Sequence, residues 1–390
     1  MINIENEKDC CGCAACYAIC PKECITMVEG SLGHLFPKVN NDKCINCHLC
    51  EKVCPQINQT KTQFDNPKVF AAYSKNMDIK HRSSSGGAFG TFATNLLSEG
   101  YIVYGAAFDK NLKLECTLAD SVEKIGPLMK SKYLQSDLSR KFCEIKDKLN
   151  NGDKILFVST PCQVSALKNY LIKDYGNLIT MDFFCHGVPS QKLFDQCLKV
   201  DEVRLGGKIL NYEFRTKIKK GSTPHYYSVK YIKNGKEKQK TSYYFMSSFY
   251  AMFQKYICLR ESCYECKYAG KERSSDITFG DFHDINKFIE NINRFDGVST
   301  IVINSKRGNE IWNKFKNDFY FYEFNFNELY ENKIIFPGPT KKPETRNIFI
   351  RDYNEMTFTK LANKWANPKK YIKNYIYYSL PYWLRKKIVK

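Results

Sequence analysis

Two cysteine runs constrain this chain more than any other feature. The first reads Cys10-x2-Cys13-x2-Cys16-x3-Cys20-Pro21, and the second reads Cys44-x2-Cys47-x2-Cys50-x3-Cys54-Pro55. Three thiolates at two-residue gaps wrap a tight turn around three corners of a cube. A fourth Cys then leaves that turn, and the Pro begins the next segment. This is the run that holds 4Fe–4S clusters in bacterial two-cluster ferredoxins, where the fourth Cys serves the other cluster. The expected ligation is therefore crossed: Cys10, Cys13, Cys16 and Cys54 on one cluster, and Cys44, Cys47, Cys50 and Cys20 on the other. Cys11 and Cys24 are left over and are expected to bind nothing. Zinc would use two CxxC pairs and gives no reason for a tandem four-Cys run closed by Pro. Two clusters this close form a wire for single electrons.

The setting agrees with redox use of the 18 cysteines. No stretch approaches ~18 uninterrupted apolar residues, so a spanning helix is not expected. The start "MINIENEKDCC" has no basic segment followed by an apolar run, so no secretory signal is read. A cytoplasmic location follows as the expectation, and there thiols stay reduced and serve metals or redox chemistry rather than disulfides. The formal net charge is +19. Much of the excess lies in "RTKIKKG", "KNGKEKQK" and the last 24 residues rather than in one recognition helix. No helix-turn-helix, zinc-finger or RNA-binding signature accompanies it, so a solvated basic surface is expected and nucleic acid is not an expected partner.

At 390 residues the chain is long enough for two or three domains. Residues 1–58 form the Cys-rich module, and 59–67 read as a polar linker ending in Pro67. From 68 to 205 strands and helices alternate. Strands are predicted at "KVFAAY", "YIVYGAAF", "KILFVST" and "LITMDFFC". Helices are predicted at 86–100, at 136–152 with a Ser136 or Asp137 cap and a Gly152 stop, at 161–172 and at 189–200. Such alternation argues for an α/β layer with at least some parallel strands. Over 206–330 the pattern turns to antiparallel strands ("KILNYEFRTK", "HYYSVKYIK", "KQKTSYYF"), a helix "SSFYAMFQKYI" and a second Cys cluster. Strands "DITFGDF" and "VSTIVINS" and a helix "RGNEIWNKFKND" follow. Residues 331–390 form a basic, aromatic C-terminal tail. Its last 24 residues read first as a packing segment and second as a peripheral membrane contact. The expected fold class is α+β: a small two-cluster ferredoxin-type module, then an α/β flavin-binding domain with an additional antiparallel β region.

A wire needs something to reduce, and four stretches of the large domain carry candidates. "HRSSSGGAFGTF" places two glycines after a Ser run at a helix start, where backbone amides approach phosphate oxygens. In "STPCQVSAL", Cys162 sits just past a buried strand at a helix start, where a thiol suits a ligand or redox role. "FFCHGVPS" carries Cys185 and His186 at a strand end, and Cys258-x4-Cys263-x2-Cys266 contains a CxxC pair. That pair is moderately specific for metal or redox chemistry, and spacing alone includes Cys258.

Together these stretches resemble the coenzyme F-420 hydrogenase/dehydrogenase beta-subunit family of iron–sulfur flavoproteins. The resemblance rests on the fused ferredoxin module, "SSGGAF", "KSKYLQSDL", "STPCQVSAL", "CHGVPS", "FRTK" and "LRESCYEC…RSSDITFGDF", in that order and reaching about residue 310. It implies FAD and a third 4Fe–4S cluster. The implied ligands are Cys162, Cys185, Cys263 and Cys266, with Cys258 the competing one. Ser84, Ser85, Gly86 and Gly87 are implied at the flavin phosphates, and Lys132, Tyr133, Arg215 and Lys217 at the flavin. A basic residue near the ring would stabilise the anionic reduced form. Where the family usually reads "GDFWG", this chain has "GDFHD", with His283 and Asp284, a departure that bears on the substrate pocket.

The resemblance implies an FAD/iron–sulfur oxidoreductase passing electrons through three clusters to FAD, then by hydride transfer to a substrate, with the direction open. That substrate is the deazaflavin coenzyme or, in the polysaccharide-biosynthesis setting of many bacterial members, a sugar-type molecule. A redox partner protein or ferredoxin is the expected partner. The alternative is a non-catalytic electron-transfer subunit feeding a partner enzyme.

Overall fold

The protein is described here from a computed structural model, which covers residues 1–62, 64, 67–218, 226–283, 285–290, 292, 297–380 and 384. The N-terminal module is built on one antiparallel pair, β1 (Ile25–Glu29) and β2 (Leu35–Val39), with Ile25 opposite Val39. Each Cys run ends in a short helix, α1 (Ala15–Ile19) and α2 (Leu49–Lys52). A core of Ile2, Cys16, Cys24, Ile25 and Cys50 lies between them.

The large domain is organised by an eight-stranded mixed sheet. Its strands are β3 (Lys68–Ser74), β4 (Tyr101–Phe108), β5 (Leu114–Ala119), β6 (Lys154–Val158), β7 (Leu178–Phe183), β11 (Ile277–Asp281), β12 (Ser299–Ile303) and β13 (Phe319–Phe324). Their order is β13-β3-β12-β11-β7-β6-β4-β5. The parallel strands β11, β7, β6 and β4 occupy the middle, and antiparallel strands flank them on both sides. The remaining strands, β8 (Lys208–Glu213), β9 (Tyr226–Lys233) and β10 (Lys236–Tyr243), form a separate antiparallel sheet with Asn234–Gly235 at the β9–β10 turn. A small ferredoxin-like module, a mixed central sheet and an antiparallel sheet thus make up the α+β fold that the sequence implies.

The helices of the central layer are α3 (Met77–Arg82), α4 (Ala88–Ser98), α5 (Lys141–Asn150), α6 (Pro161–Leu171) and α7 (Gln191–Leu205). Beyond them lie α8 (Ser248–Phe253), α9 (Lys306–Phe315), α10 (Phe326–Glu331), α11 (Arg346–Glu355), α12 (Phe358–Trp365) and α13 (Ile372–Ser379). Helix α5 starts at Lys141, after the predicted Ser136 or Asp137 cap. The Asp137 carboxylate instead accepts hydrogen bonds from Ser139 N–H (2.8 Å) and Oγ (2.7 Å), which closes a local turn. Helix α8 is shorter than predicted, because Tyr256 takes a left-handed conformation (φ 55°).

Two crossings of the expected domain boundaries matter for the site. Strands β11 and β12 come from the segment after residue 206 yet sit beside β7 and β3, in the centre of the sheet. Residues beyond 331 pack inward as well: Phe349, Leu361, Ala362 and Ala366 join the same core as Phe194, Phe214 and Phe249. Tyr371 stacks on Phe245 (4.5 Å) and Tyr378 on Tyr243 (4.7 Å), which seats the end of the chain against the antiparallel sheet. Residues 381–383 and 385–390 of the tail lie outside the described residues, as do 63, 65 and 66 of the linker. The rest of that linker is pinned to the large domain: Thr62 N–H donates to Arg273 O at 2.7 Å and Gln59 Nε2 to Lys267 O at 3.0 Å. No helix among the described residues is long and apolar enough to cross a membrane.

Candidate redox centre

The two N-terminal runs share one backbone device. Gly12 (φ 67°) and Ala14 (φ 61°) in the first match Asn46 (φ 51°) and His48 (φ 59°) in the second, at equivalent places between the cysteines. A left-handed non-glycine residue is unfavourable, so its repetition in both runs marks a built conformation rather than an accident. It curls each loop so that successive thiols turn to one side.

The result is two cavities. One is lined by Cys10, Cys13, Cys16 and Cys54, and the other by Cys20, Cys44, Cys47 and Cys50, so the crossed quartets are the ones brought together. Among the described residues no group of three or more His, Cys, Asp or Glu closes on a point that could hold one metal ion. Four thiolates on one zinc at ~2.3 Å would lie within about 4 Å of one another. A donor set spread around a cavity fits a four-iron cube instead.

A third cavity of about 580 Å3 is lined by Cys162, Cys185, Cys263 and Cys266. Cys162 enters from the first turn of α6, after β6, and Cys185 from the end of β7. Both therefore lie at the carboxyl edge of parallel strands, where open α/β sheets build their sites. Gly187 donates its N–H to Cys185 Sγ at 3.4 Å. Cys258 is fully buried elsewhere, in the core with Ile257, Leu259 and Phe249, and does not line this cavity. Of the two sets left open by spacing, the structure gathers the one without it. Pro339 and Thr340 also line the cavity, and Thr340 Oγ1 donates to His186 O at 2.6 Å.

The two spare cysteines of the first run are not remote from these sites. Cys11 lines both the Cys10 cavity and the Cys162 cavity, and Cys24 Sγ lies 3.3 Å from Cys20 Sγ. The module is held against the large domain at this wall. Gln135 Nε2 donates to Cys11 O (2.7 Å) and Gly12 O (2.9 Å), Tyr268 OH to Pro55 O (2.5 Å), and Lys192 pairs with Glu29 (2.6 Å). His34 Nε2 lies 3.1 Å from Val188 O. Burial, with Arg260 adding, lowers its pKa to about 3, so it is neutral at pH 7.

Burial pushes the thiols of the metal-free chain up: Cys16 and Cys263 to about 12, and Cys266 to about 11. Clusters bind thiolates, so assembly must expel these protons. Iron and sulfide reconstitution of the stripped protein should therefore be more complete at pH 9 than at pH 7 and should release protons. Pulsed addition of iron in weak buffer checks this, and loading independent of pH would contradict it.

The residues implied at a flavin converge on Asp281, at the end of β11. Arg215 Nη1 donates to its Oδ2 at 2.6 Å. Although burial pushes this carboxyl up, Arg215 and then His283 hold it below its ordinary value. Lys217 Nζ donates to Ser85 O and Lys80 O, both at 2.6 Å. Ser84 Oγ accepts from Ser131 N–H at 2.8 Å, and Lys132 Nζ donates to Pro127 O and Met129 O at 2.7 Å. Burial, with Lys130 adding, lowers the Lys132 pKa to about 7. Tyr133 stacks on Phe253 at 4.9 Å.

The glycines have packing reasons of their own. A Cβ on Gly86 would lie 2.5 Å from Ala72 O, and Gly87 (φ 94°) caps α4. Asp284 lies outside the described residues, and His283 is exposed. Asp281, Arg260 and Gln135 carry no mark of their own in the sequence. Arg260 stands three residues before Cys263, the one local signal that points toward it.

Residues 152–328 match the family model for the C terminus of the coenzyme F420 hydrogenase/dehydrogenase beta subunit, and residues 37–56 match that of the 4Fe-4S binding domain. The first span contains all four cysteines of the third cavity, and the second contains Cys44, Cys47, Cys50 and Cys54. No curated protein matches the chain. Among solved structures, a chain from the F420-reducing NiFe hydrogenase complex of Methanosarcina barkeri aligns at 20% identity and a TM-score of 0.44, over 80% of this chain and 92% of that one. Over residues 152–328 the chain belongs to the coenzyme F420 hydrogenase/dehydrogenase beta-subunit family, and a 4Fe–4S binding domain precedes that region.

Proposed function

We propose that this chain is an iron–sulfur flavoprotein oxidoreductase that accepts single electrons at its N-terminal module and uses them at a flavin site in the large domain. The observation that carries this reading is serial placement. The cavity of the Cys10 quartet and that of the Cys162 quartet share the wall made by Cys11 and Gln56. The Cys185 strand end then leads to His186, near the Asp281 group of residues. When bound, 4Fe–4S clusters supply one-electron steps and a flavin joins two of them to a hydride.

Cys47, His48 and Ile45 (57% exposed) open the Cys20 quartet to solvent, with Lys22, Lys43 and Lys52 exposed around them. This is the face for a redox partner protein such as a ferredoxin. At the other end, Ser84, Ser85, Gly86, Gly87, Lys132, Tyr133, Arg215 and Lys217 would hold FAD. Their cations would stabilise the anionic reduced ring. The substrate is a deazaflavin coenzyme or a sugar-type intermediate of polysaccharide assembly. The second reading, an electron-transfer subunit without flavin, is favoured by the internal partners of Arg215 and Lys217 and by the packing role of Gly86.

Anaerobic purification with iron, sulfide and flavin counts separates the two readings. About twelve irons and one flavin per chain are expected from three four-iron clusters. Twelve irons without flavin leaves the electron-transfer subunit, and a count near eight removes the third cluster.

A further inference from the structure

Arg260 is 1% exposed, yet among the described residues it forms no ion pair with a carboxylate. A buried guanidinium without a counter-charge is costly, and such groups are kept where an anion meets them. Every direction of this one leads to the first cysteine quartet or to the wall behind it. Its Nε donates to Cys10 O at 2.7 Å, and Nη2 donates to Leu35 O at 2.6 Å and to Cys10 Sγ at 3.4 Å. Nη1 donates to Gln135 Oε1 at 3.0 Å, and the plane lies 4.3 Å from the Phe36 ring centroid. The backbone N–H of Arg260 donates to Val188 O at 2.9 Å, and Gln135 and Val188 both line the third cavity. Gly12 leaves the space it needs: a Cβ there would lie 2.5 Å from Nη1. The guanidinium therefore stands in the partition between two iron–sulfur sites.

The geometry points to Arg260 as the residue that tunes the Cys10/Cys13/Cys16/Cys54 cluster, raising its reduction potential so that it collects electrons from the Cys20/Cys44/Cys47/Cys50 cluster and holds them against the third site. Two physical levers act together: a hydrogen bond to a ligating sulfur and a fixed positive charge, both of which set cluster potentials. Reduction adds one electron to the cluster and needs no proton, because Arg stays protonated at every working pH. The electron comes from the redox partner proposed above and leaves toward the Cys162 quartet. The relay role rests on that reading. The tuning role needs only the first cluster, so a missing third cluster, read from an iron count near eight, would be distinguished from a failure at Arg260.

The test is an EPR-monitored redox titration of the anaerobically purified full chain, with Arg260→Gln and Arg260→Lys variants. Arg260→Gln should lower the reduction equilibrium of one ferredoxin-type cluster by about tenfold, which is 59 mV for one electron. The other ferredoxin-type cluster should stay fixed. Arg260→Lys keeps the charge but loses the fork and should fall between. Potentials unchanged in Arg260→Gln at full iron content would overturn the proposal. Should that variant fail to assemble, the wild-type chain labelled with 15N-arginine decides. Pulsed EPR of the reduced protein should show a 15N coupling to one cluster, and its absence would equally overturn the proposal.

Discussion

Replacing Cys185 by Ser should lower the iron content from about twelve to about eight per chain, whereas replacing Cys258 by Ser should leave it at about twelve. Both thiols are buried deep in the large domain, and spacing alone treats Cys258 as a ligand candidate equal to Cys263 and Cys266. The structure separates them by position. Cys185 leaves the carboxyl end of β7 and faces a cavity it shares with Cys162, Cys263 and Cys266. Cys258 points into an apolar core and meets Ile257, Leu259 and Tyr264.

A serine hydroxylate is a poor ligand for soft iron, so the first change should strip one cluster and the corresponding EPR signal. The second change puts a hydroxyl into an apolar setting and should cost about 1–3 kcal/mol of stability without loss of iron. Iron and sulfide analysis, with thermal unfolding of both variants, measures the two effects. Loss of four irons in Cys258→Ser would move the third site.

Why some of these residues are legible in sequence and others are not is a matter of range. The N-terminal quartets are written locally: each run supplies three thiols within seven residues, and the left-handed residues at 12, 14, 46 and 48 turn them inward. The strand–helix alternation of 68–205 is legible for the same reason, since each element shows its own period. Strand β5 is hidden because it is an edge strand in which Glu115 interrupts the apolar run, with only Leu114, Cys116 and Ala119 buried. Strand β13 is the other edge, and it exposes Tyr320, Phe321 and Tyr322, so its aromatic run shows no alternation of apolar and polar residues. Helices α11 and α12 lack side-chain caps at Thr345 and Thr357 and carry no cysteine or motif. Arg260 is the extreme case. Its partner Cys10 is 250 residues away in the chain, and its role exists only once the module has docked.

The same long-range logic governs the flavin end, where Arg215→Ala is the decisive change. Arg215 pairs with Asp281 across 66 residues at 2.6 Å, and both side chains are largely buried. Removing one partner of a buried pair leaves the other charge uncompensated, at a cost of about 3 kcal/mol. The sign of the pH dependence follows from Asp281. In the wild type its carboxyl is held below the ordinary 3.8 despite burial, because Arg215 and His283 favour the charged form. The pair's contribution is therefore complete above that ordinary value and is lost only as the pH falls through the still lower folded value. Without Arg215, burial gains the upper hand and the folded value rises. The variant is then penalised most at neutral pH, and its stability deficit should shrink as the pH is lowered.

Flavin content provides an independent readout. If Arg215 also serves FAD, the loss of a charge-assisted contact should reduce bound flavin by about tenfold or more. The iron should stay at about twelve, since no cysteine of the third quartet is touched. Arg215→Lys should recover part of the flavin but not the full stability, because an ammonium lacks the planar fork. A stability deficit with the expected pH trend and unchanged flavin would reduce Arg215 to a structural ion pair. The search for the flavin would then move to Lys132 and Tyr133, whose positions do not depend on Asp281.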